Sequence, residues 1–191
     1  CAFASTSIEN IFIPSKVNDL KEGWCSGTSK LNKIEISSDN KRYQMFEDKM
    51  IIGKSTEEIK EFNEVVFCQR NIIEINIPNN IERICPYSFS ECKKLNKINF
   101  SNESKLTSID KYSFYCSNIK EIKIPRHVKN IESYSFSQCL QLNKVEFSTE
   151  SELENIKKYS FSNTSITTIS IPSSVLEIGA FAFSNCEKLI S

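Results

Sequence analysis

Cysteine is the residue in this sequence with the widest chemistry, because a thiol can form a disulfide, bind a metal ion or act as a nucleophile. The chain has eight cysteines in 191 residues. Four of them recur in step, each shortly after a phenylalanine: Cys92, Cys116, Cys139 and Cys186. Threonine or arginine stands at the equivalent place elsewhere: Thr6, Thr28, Arg70 and Thr164.

A place that accepts cysteine or threonine favours a small side chain whose thiol or hydroxyl meets backbone groups. We therefore expect a ladder of free, buried thiols, since reduced cysteine packs well in a core. Two alternatives remain open. A disulfide could join Cys92 to Cys116, or Cys116 to Cys139, if their Cα atoms come within bridging distance. A metal site is less favoured, because there is no C-x-x-C pair and the only histidine is His127.

The other reactive side chains form no catalytic set. His127 follows Pro125 in an expected loop, with no partner for it to activate. Gly53-Lys54-Ser55 resembles the end of a phosphate-binding loop, but that motif needs glycine at position 48, where this chain has Asp48. We therefore predict that the protein is not an enzyme and has no cofactor or bound metal ion.

The elements that must position these side chains are repeats. The dipeptide Ile-Pro recurs at intervals of 47 residues, with Phe-Ser midway between: Ile77-Pro78, Phe100-Ser101, Ile124-Pro125, Phe147-Ser148 and Ile171-Pro172. The underlying unit is therefore 23 or 24 residues long, in alternating forms. A period of this length is typical of a solenoid with one turn per unit.

Each unit has the pattern L-x-x-I-x-I, which predicts a β-strand because its last two aliphatic residues alternate with polar ones. Seven complete units and the start of an eighth at Leu189 predict parallel strands stacked at about 4.8 Å. A second cluster, such as Val128 and Ile131, is expected to line the opposite wall. The recurring Tyr-Ser-Phe is expected to form one helical or 3₁₀ turn, with its phenylalanine in the core.

One segment breaks the rhythm, because Ile36 and Ile77 are 41 residues apart where 24 would continue the repeat. Two apolar runs around a polar turn predict a β-hairpin inserted at residues 38–56. Its apolar side chains have two interpretations, a fold-back over the solenoid or a partner-binding protrusion. The candidate contact residues of the protrusion are Tyr43, Met45 and Phe46.

The outward residues of the strands form a second candidate surface. Lysine and glutamate alternate along it from Lys33 to Lys144, so that stacking places opposite charges side by side. Such a face either pairs its own charges or recognises a protein. The candidate residues for recognition are Phe12, Lys97, Glu121, Lys123 and Lys144.

Overall charge limits the partners. The chain has 24 basic and 24 acidic residues, so its net charge gives no attraction for nucleic acid or an anionic membrane. No stretch of 18 apolar residues predicts a membrane span. The chain begins and ends inside a repeat, and we interpret residues 1–191 as a single domain cut from a longer protein. The oligomeric state cannot be inferred from these features.

The unit I-P-x-x-[VI]-x-x-I-x-x-x-[SA]-F-x-x-C-x-x-L-x-x-I resembles the BspA-like, Treponema-type leucine-rich repeat. One copy reads Ile77-Pro78, Ile81, Ile84, Ser88-Phe89, Cys92, Leu95 and Ile98. The longer alternate unit and the insertion resemble the expanded version found in protozoan parasites. The glycine that the family places after the second-wall isoleucine survives only as Gly179.

The resemblance implies a leucine-rich-repeat solenoid, rich in β-structure, of seven to eight turns. It also implies a non-enzymatic, protein-binding module of a cell-surface antigen that adheres to host or matrix proteins, as some bacterial members adhere to fibronectin. The expected location is then the cell surface. The alternative is an intracellular, cytoplasmic scaffold, which the expected free thiols favour.

Overall fold

Fourteen short β-strands and no helix occur in residues 2–190, the part of the chain that the computed structural model describes. Turns connect the strands into a β-solenoid of about seven turns, so the predicted repeat fold is confirmed. The strands are β1 Asn10–Ile13, β2 Lys33–Ile36, β3 Tyr43–Phe46, β4 Met50–Gly53, β5 Glu64–Cys68, β6 Glu74–Asn76, β7 Arg83–Ile84, β8 Lys97–Asn99, β9 Ser108–Ile109, β10 Glu121–Ile124, β11 Asn130–Ile131, β12 Lys144–Phe147, β13 Asn155–Ile156 and β14 Glu177–Ile178.

The two walls of the solenoid differ in how far their sheets extend. The L-x-x-I-x-I strands pair only two by two and in parallel, as β1-β2, β6-β8 and β10-β12. The opposite wall forms one eight-stranded sheet in the order β14-β13-β11-β9-β7-β5-β4-β3. Although β8 and β10 are not paired in one sheet, the turns that precede them are stacked, and Lys120 N donates to Asn96 O at 3.3 Å between them. The continuous sheet is therefore on the wall opposite the L-x-x-I-x-I strands. Its strands from the regular repeats, β7, β9, β11, β13 and β14, have only two residues each.

Repetition of the unit stacks equivalent apolar residues in the core. Parallel register places Ile122 beside Val145 and Ile131 beside Ile156, all buried. Five phenylalanine rings from successive units stack with centroid separations of 4.9 to 5.4 Å, close to the strand spacing. They are Phe89, Phe114, Phe136, Phe161 and Phe183.

The expected helical or 3₁₀ turn at Tyr-Ser-Phe is wrong. Its tyrosine is in the left-handed region in every unit, with φ of 62° at Tyr87 and 56° at Tyr112. The residue four places later is also left-handed, with φ of 63° at Glu91 and 59° at Cys116. A right-handed helix needs negative φ throughout, so these residues form tight turns that place the phenylalanine between them inside the core.

Ladder thiols contact backbone carbonyls, as expected. The thiols of Cys139 and Cys186 donate to the carbonyls of Phe114 and Phe161, at 3.0 and 3.2 Å. Each acceptor belongs to the core phenylalanine one turn earlier. The seven cysteines in residues 2–190 are free thiols, and Cys1 lies outside the described residues.

Cys116 does not belong to this ladder, contrary to expectation. It lies two residues after its core phenylalanine, Phe114, whereas Cys139 lies three residues after Phe136. Ser117 takes the ladder position and contacts Cys139 Sγ at 3.4 Å. Cys116 itself occupies the left-handed turn position and is only half-buried.

The predicted hairpin is present as β3 and β4, which pair antiparallel. Three residues, 47–49, connect the strands, and Lys49 N donates to Phe46 O at 3.0 Å across a tight turn in which Glu47 and Asp48 have positive φ of 50° and 51°. β4 also pairs antiparallel with β5, and all four of its residues are buried. The insertion therefore extends the eight-stranded sheet instead of projecting from it.

Candidate protein-binding face

Four of the predicted contact residues come together on the outward side of β8, β10 and β12. Lys97, Glu121, Lys123 and Lys144 line one shallow groove of about 310 Å³. Parallel register produces this arrangement, because it places Glu121 beside Lys144 and Lys123 beside Glu146. The sequence-predicted surface therefore contains a local groove.

Lys123 is at the centre of the surface, since it also lines two neighbouring grooves of about 360 and 520 Å³. Phe100 and Phe147 are half-buried and line two of the three grooves each. We call this surface, lined by Lys97, Phe100, Glu121, Lys123, Lys144 and Phe147, the grooved face. Both phenylalanines stand at the last apolar position of the L-x-x-I-x-I pattern, which the repeat predicts to face the core. Phenylalanine replaces isoleucine at this strand position in alternate units only, and this replacement could have indicated that the two rings are not fully buried.

The charges on the grooved face are only partly paired. Lys97 contacts Glu74 of the adjacent strand at 3.7 Å, whereas Lys144 contacts Glu146 of its own strand at 2.6 Å. The hydrogen bond and charge of Glu146 raise the pKa of Lys144. Among residues 2–190, Glu121 and Lys123 have no ion pair within 4.0 Å. They are the charges of the grooved face that no ion pair neutralises.

The remaining predicted contact residues lie elsewhere. Phe12 is 57% exposed on β1, beside Glu35 of β2, and is separate from the grooved face. Tyr43 is buried, and its hydroxyl accepts a hydrogen bond from Leu20 N at 3.0 Å. Met45 and Phe46 are half-buried, and each packs against buried apolar residues of the core. The hairpin side chains thus serve mainly to attach the insertion to the solenoid.

Acid–base groups flank the grooved face. Arg126 lines one groove and pairs with Glu150 and Glu152. His127 Nδ1 lies 3.1 Å from Glu152 Oε1, and this hydrogen bond, with the charges of His127 and Arg126, lowers the pKa of Glu152. Within residues 2–190, no three His, Cys, Asp or Glu side chains are grouped as a metal site would require.

A second cluster of chemical interest is buried in the core, around Arg70, Cys68 and Cys92. Arg70 is only 3% exposed, and its guanidinium lies over the Phe67 ring at 4.2 Å. It donates to three backbone carbonyls and to one thiol: Ser88 O at 3.0 Å, Cys68 O at 3.3 Å, Tyr87 O at 3.3 Å and Cys92 Sγ at 3.5 Å. No carboxylate of residues 2–190 forms an ion pair with it.

The thiols around Arg70 titrate differently. Burial acts to raise the pKa of Cys92, but the hydrogen bond with Cys68 and the charge of Arg70 outweigh it and lower this pKa to about 7. Burial raises the pKa of Cys68 far above its ordinary value, and that of Cys25 to about 12. Of the thiols in this cluster, Cys92 has the lowered pKa and lies 3.5 Å from the guanidinium.

The repeated turns and their ladders match a known family. A sequence profile described as "BspA type Leucine rich repeat region" matches residues 1–55 and 60–190, in six copies. The chain belongs to this BspA-type leucine-rich-repeat family. No curated protein matches the chain.

Solved structures agree with the BspA-type fold. A leucine-rich repeat protein from Eubacterium ventriosum is 23% identical with a TM-score of 0.68, over 94% of this chain and 59% of that one. A leucine rich cell surface protein from Faecalibacterium prausnitzii is 22% identical with a TM-score of 0.64, over 98% and 42%. The pneumococcal vaccine antigen PcpA is 17% identical with a TM-score of 0.60, over 91% and 51%.

These similarities concern the fold, since each identity is below 25%. The BspA-type chain spans about half the length of the solved structures that it matches. Among residues 2–190, no helix has the length and apolar character needed to cross a bilayer.

Proposed function

We propose that this BspA-type chain is a non-enzymatic, protein-binding module of a cell-surface protein that adheres to host or matrix proteins through the grooved face. One observation carries the proposal. Lys123 lines all three adjoining grooves, has no ion pair within residues 2–190, and stands between Phe100 and Phe147.

Side chains of this kind suit protein recognition. Aromatic rings in a partly desolvated groove are typical anchors of binding energy, and an unpaired charge beside them selects the partner. Glu121 gives a second unpaired charge of opposite sign on the same strand. The grooves are shallow, so we expect weak single contacts that gain strength from several copies. Phe12 is proposed as a separate, weaker contact.

Surface location is supported by the relatives. Two of the similar solved structures carry the descriptions "cell surface protein" and "vaccine antigen". The alternative is an intracellular scaffold, which one observation favours: all seven cysteines in residues 2–190 are free thiols. Immunofluorescence on unpermeabilised cells, with an antibody to this domain, separates the two. Surface staining supports the adhesin, whereas staining only after permeabilisation supports the scaffold.

Binding to immobilised matrix proteins tests the grooved face directly. Lys123→Glu should lower the amount of protein retained by about tenfold, because an attractive charge contact becomes repulsive. Lys129→Glu is the matched control, since Lys129 is exposed and immediately precedes β11 on the opposite wall. Equal loss in both variants, or no loss in Lys123→Glu, would contradict the proposed contact surface.

A further inference from the structure

A second concave site lies away from the grooved face, where the loop after β1 meets the two ends of the inserted hairpin. It has a volume of about 350 Å³. We call it the basic pocket, and it is lined by Ser15, Val17, Asn18, Lys41, Arg42, Lys54 and Glu57. Nothing in the proposed protein-binding role uses it.

The basic pocket concentrates positive charge in a chain with no net charge. It contains three cations and one carboxylate. None of the ion pairs in residues 2–190 includes Lys41, Arg42 or Lys54. By contrast, Arg83 and Arg126 each contact two carboxylates. Single unpaired lysines occur elsewhere on the surface, as at Lys123, so the pocket is distinguished by three cations lining one concavity with a single carboxylate.

Arg42 is held in place with donors to spare. Its Nη2 donates to Ser55 O at 2.8 Å, while its buried Nε has no hydrogen-bond acceptor among the described residues. Asn40 accepts from Arg42 N at 2.9 Å and donates to Pro14 O and Val17 O, both at 2.9 Å. This buried asparagine ties the two sides of the pocket together and fixes the backbone at Arg42, while the bond to Ser55 O orients the guanidinium.

Lys54 is positioned without being neutralised. Its ammonium lies 5.2 Å from the centre of the Phe62 ring, a cation–π contact that orients the charge and leaves it uncompensated. Its backbone N–H donates to Arg42 O at 3.2 Å, which keeps the two cationic residues adjacent. Lys54 comes from the Gly53-Lys54-Ser55 motif, yet no helix follows it in the described residues, so a nucleotide-binding loop is not formed.

A guanidinium beside an ammonium suits a tetrahedral oxyanion, because the planar fork and the compact charge bind its oxygens together. The pocket volume of about 350 Å³ equals that of about ten water molecules, which is larger than a single sulfate or phosphate ion. Ser15 and Asn18 add a hydroxyl and an amide that can hydrogen-bond to sugar hydroxyls. We propose that the basic pocket binds a saccharide carrying a sulfate or phosphate ester, with Arg42 and Lys54 holding the ester group.

Amide chemical shifts in ¹⁵N-labelled protein test the pocket with four probes: inorganic sulfate, inorganic phosphate, glucose 6-sulfate and glucose 6-phosphate. Saturable shifts are expected at the amides of Ser15, Asn18, Arg42 and Lys54. At least one sugar ester should bind about tenfold tighter than its free anion, and the tighter ester identifies the natural group. Equal affinity for ester and free anion would mean an adventitious ion only, and would overturn the proposal. Shifts spread over surface lysines would overturn it too.

Matched variants locate the site. Arg42→Gln and Lys54→Gln should each weaken the sugar ester about tenfold, the loss expected for one charged hydrogen bond. Lys16→Gln makes the same charge change at an exposed neighbour that does not line the pocket, and should change affinity less than threefold. Thermal melting checks that each variant is folded. If Lys16→Gln matches Arg42→Gln, general charge attraction explains the binding and the site is refuted. Lys123→Glu should leave sugar binding unchanged, so this result is independent of the grooved face.

Discussion

Arg70 and Cys92 form a guanidinium–thiol contact of 3.5 Å inside the core. The two residues are equivalent, because each lies three places after the core phenylalanine of its unit. Stacking of successive turns therefore brings them together. A buried cation without a carboxylate is costly, so the contact favours the thiolate form of Cys92, whose pKa is lowered.

This contact predicts a rise in stability with pH. The pKa of Cys92 is about 7 in the fold against an ordinary value of 9.0. Between these values the unfolded chain binds more protons at this site, so the free energy of unfolding increases with pH. The contribution is complete above pH 9 and is lost as the pH falls through 7. Its size is about 3 kcal/mol, because the pKa shift of about two units contributes about 1.4 kcal/mol per unit.

Urea denaturation at pH 6.5, 7.5 and 8.5 measures this rise, and Cys92→Ser should abolish it. Cys139→Ser is the control, because burial raises the pKa of Cys139 to about 12 and this thiol gives no gain in the same range. If the free energy of unfolding of Cys92→Ser still rises with pH as in the unchanged protein, the Cys92 thiolate is not its cause.

Replacement of Arg70 tests the other partner. Arg70→Thr introduces the residue found at equivalent positions such as Thr28 and Thr164. It removes the positive charge near Cys92, so the pKa of Cys92 should return to its ordinary value or above. Thiolate absorbance near 240 nm during a pH titration follows this change. We also expect a loss of about 3 kcal/mol in stability, since one partner of a buried charge pair is removed. A Cys92 titration that stays near pH 7 in Arg70→Thr would exclude the guanidinium as its cause.

The buried serine row predicts a stabilising substitution. The hydroxyls of Ser88, Ser113, Ser135 and Ser160 are buried and have no hydrogen-bond partner among the described residues. The last unit has Ala182 at this position. Ser135→Ala should keep or raise stability, by about 1 kcal/mol, because an unsatisfied hydroxyl is removed.

Ser137→Ala is the matched control for the serine row. The Ser137 hydroxyl lies in the same turn and hydrogen-bonds to Ser162 Oγ at 2.9 Å. Its removal should cost about 1 kcal/mol in urea denaturation. The opposite order of the two variants would show that Ser135 has a partner, such as a buried water.

Gly53 permits the close packing of the inserted hairpin. A Cβ there would lie 2.8 Å from Val66 Cγ2 and 3.1 Å from the Tyr43 ring. Gly53→Ala should therefore destabilise the protein by about 1–3 kcal/mol, the usual cost of overpacking. Thermal or urea unfolding measures the loss, and Val66→Ala in the same chain should restore part of it. A neutral Gly53→Ala would mean that β4 and β5 are less tightly packed than the structure shows.

Local spacing was enough to predict the solenoid and the hairpin. Ile77, Ile124 and Ile171 mark the period, and the excess residues after Ile36 mark the insertion. The repeat period and the insertion are both visible in the spacing of apolar residues along the chain, because each stacked turn needs the same apolar positions. The same regularity predicts that Lys97, Glu121, Lys123 and Lys144 are neighbours on one face, since parallel register places equivalent outward residues side by side.

Packing between turns decided what the spacing left open. Left-handed φ at Tyr87 and Tyr112 has no sequence signal here, because these places carry tyrosine and not glycine. The Tyr-Ser-Phe turn consequently differs from the helical one expected. Phe147 has the repeat position of an inward isoleucine, yet it is only partly buried, packing against the core and lining a groove.

The sequence alone determined the repeat length, the inserted hairpin and the inward side of each strand, because these depend on periodicity. Only the tertiary structure decided which wall forms the continuous sheet, that Arg70 reaches Cys92, and that Lys41, Arg42 and Lys54 share a pocket. The physical reason is that these contacts join distant residues, Arg70 to Cys92 between turns and Arg42 to Lys54 across the hairpin, and their geometry depends on how the turns and the hairpin pack.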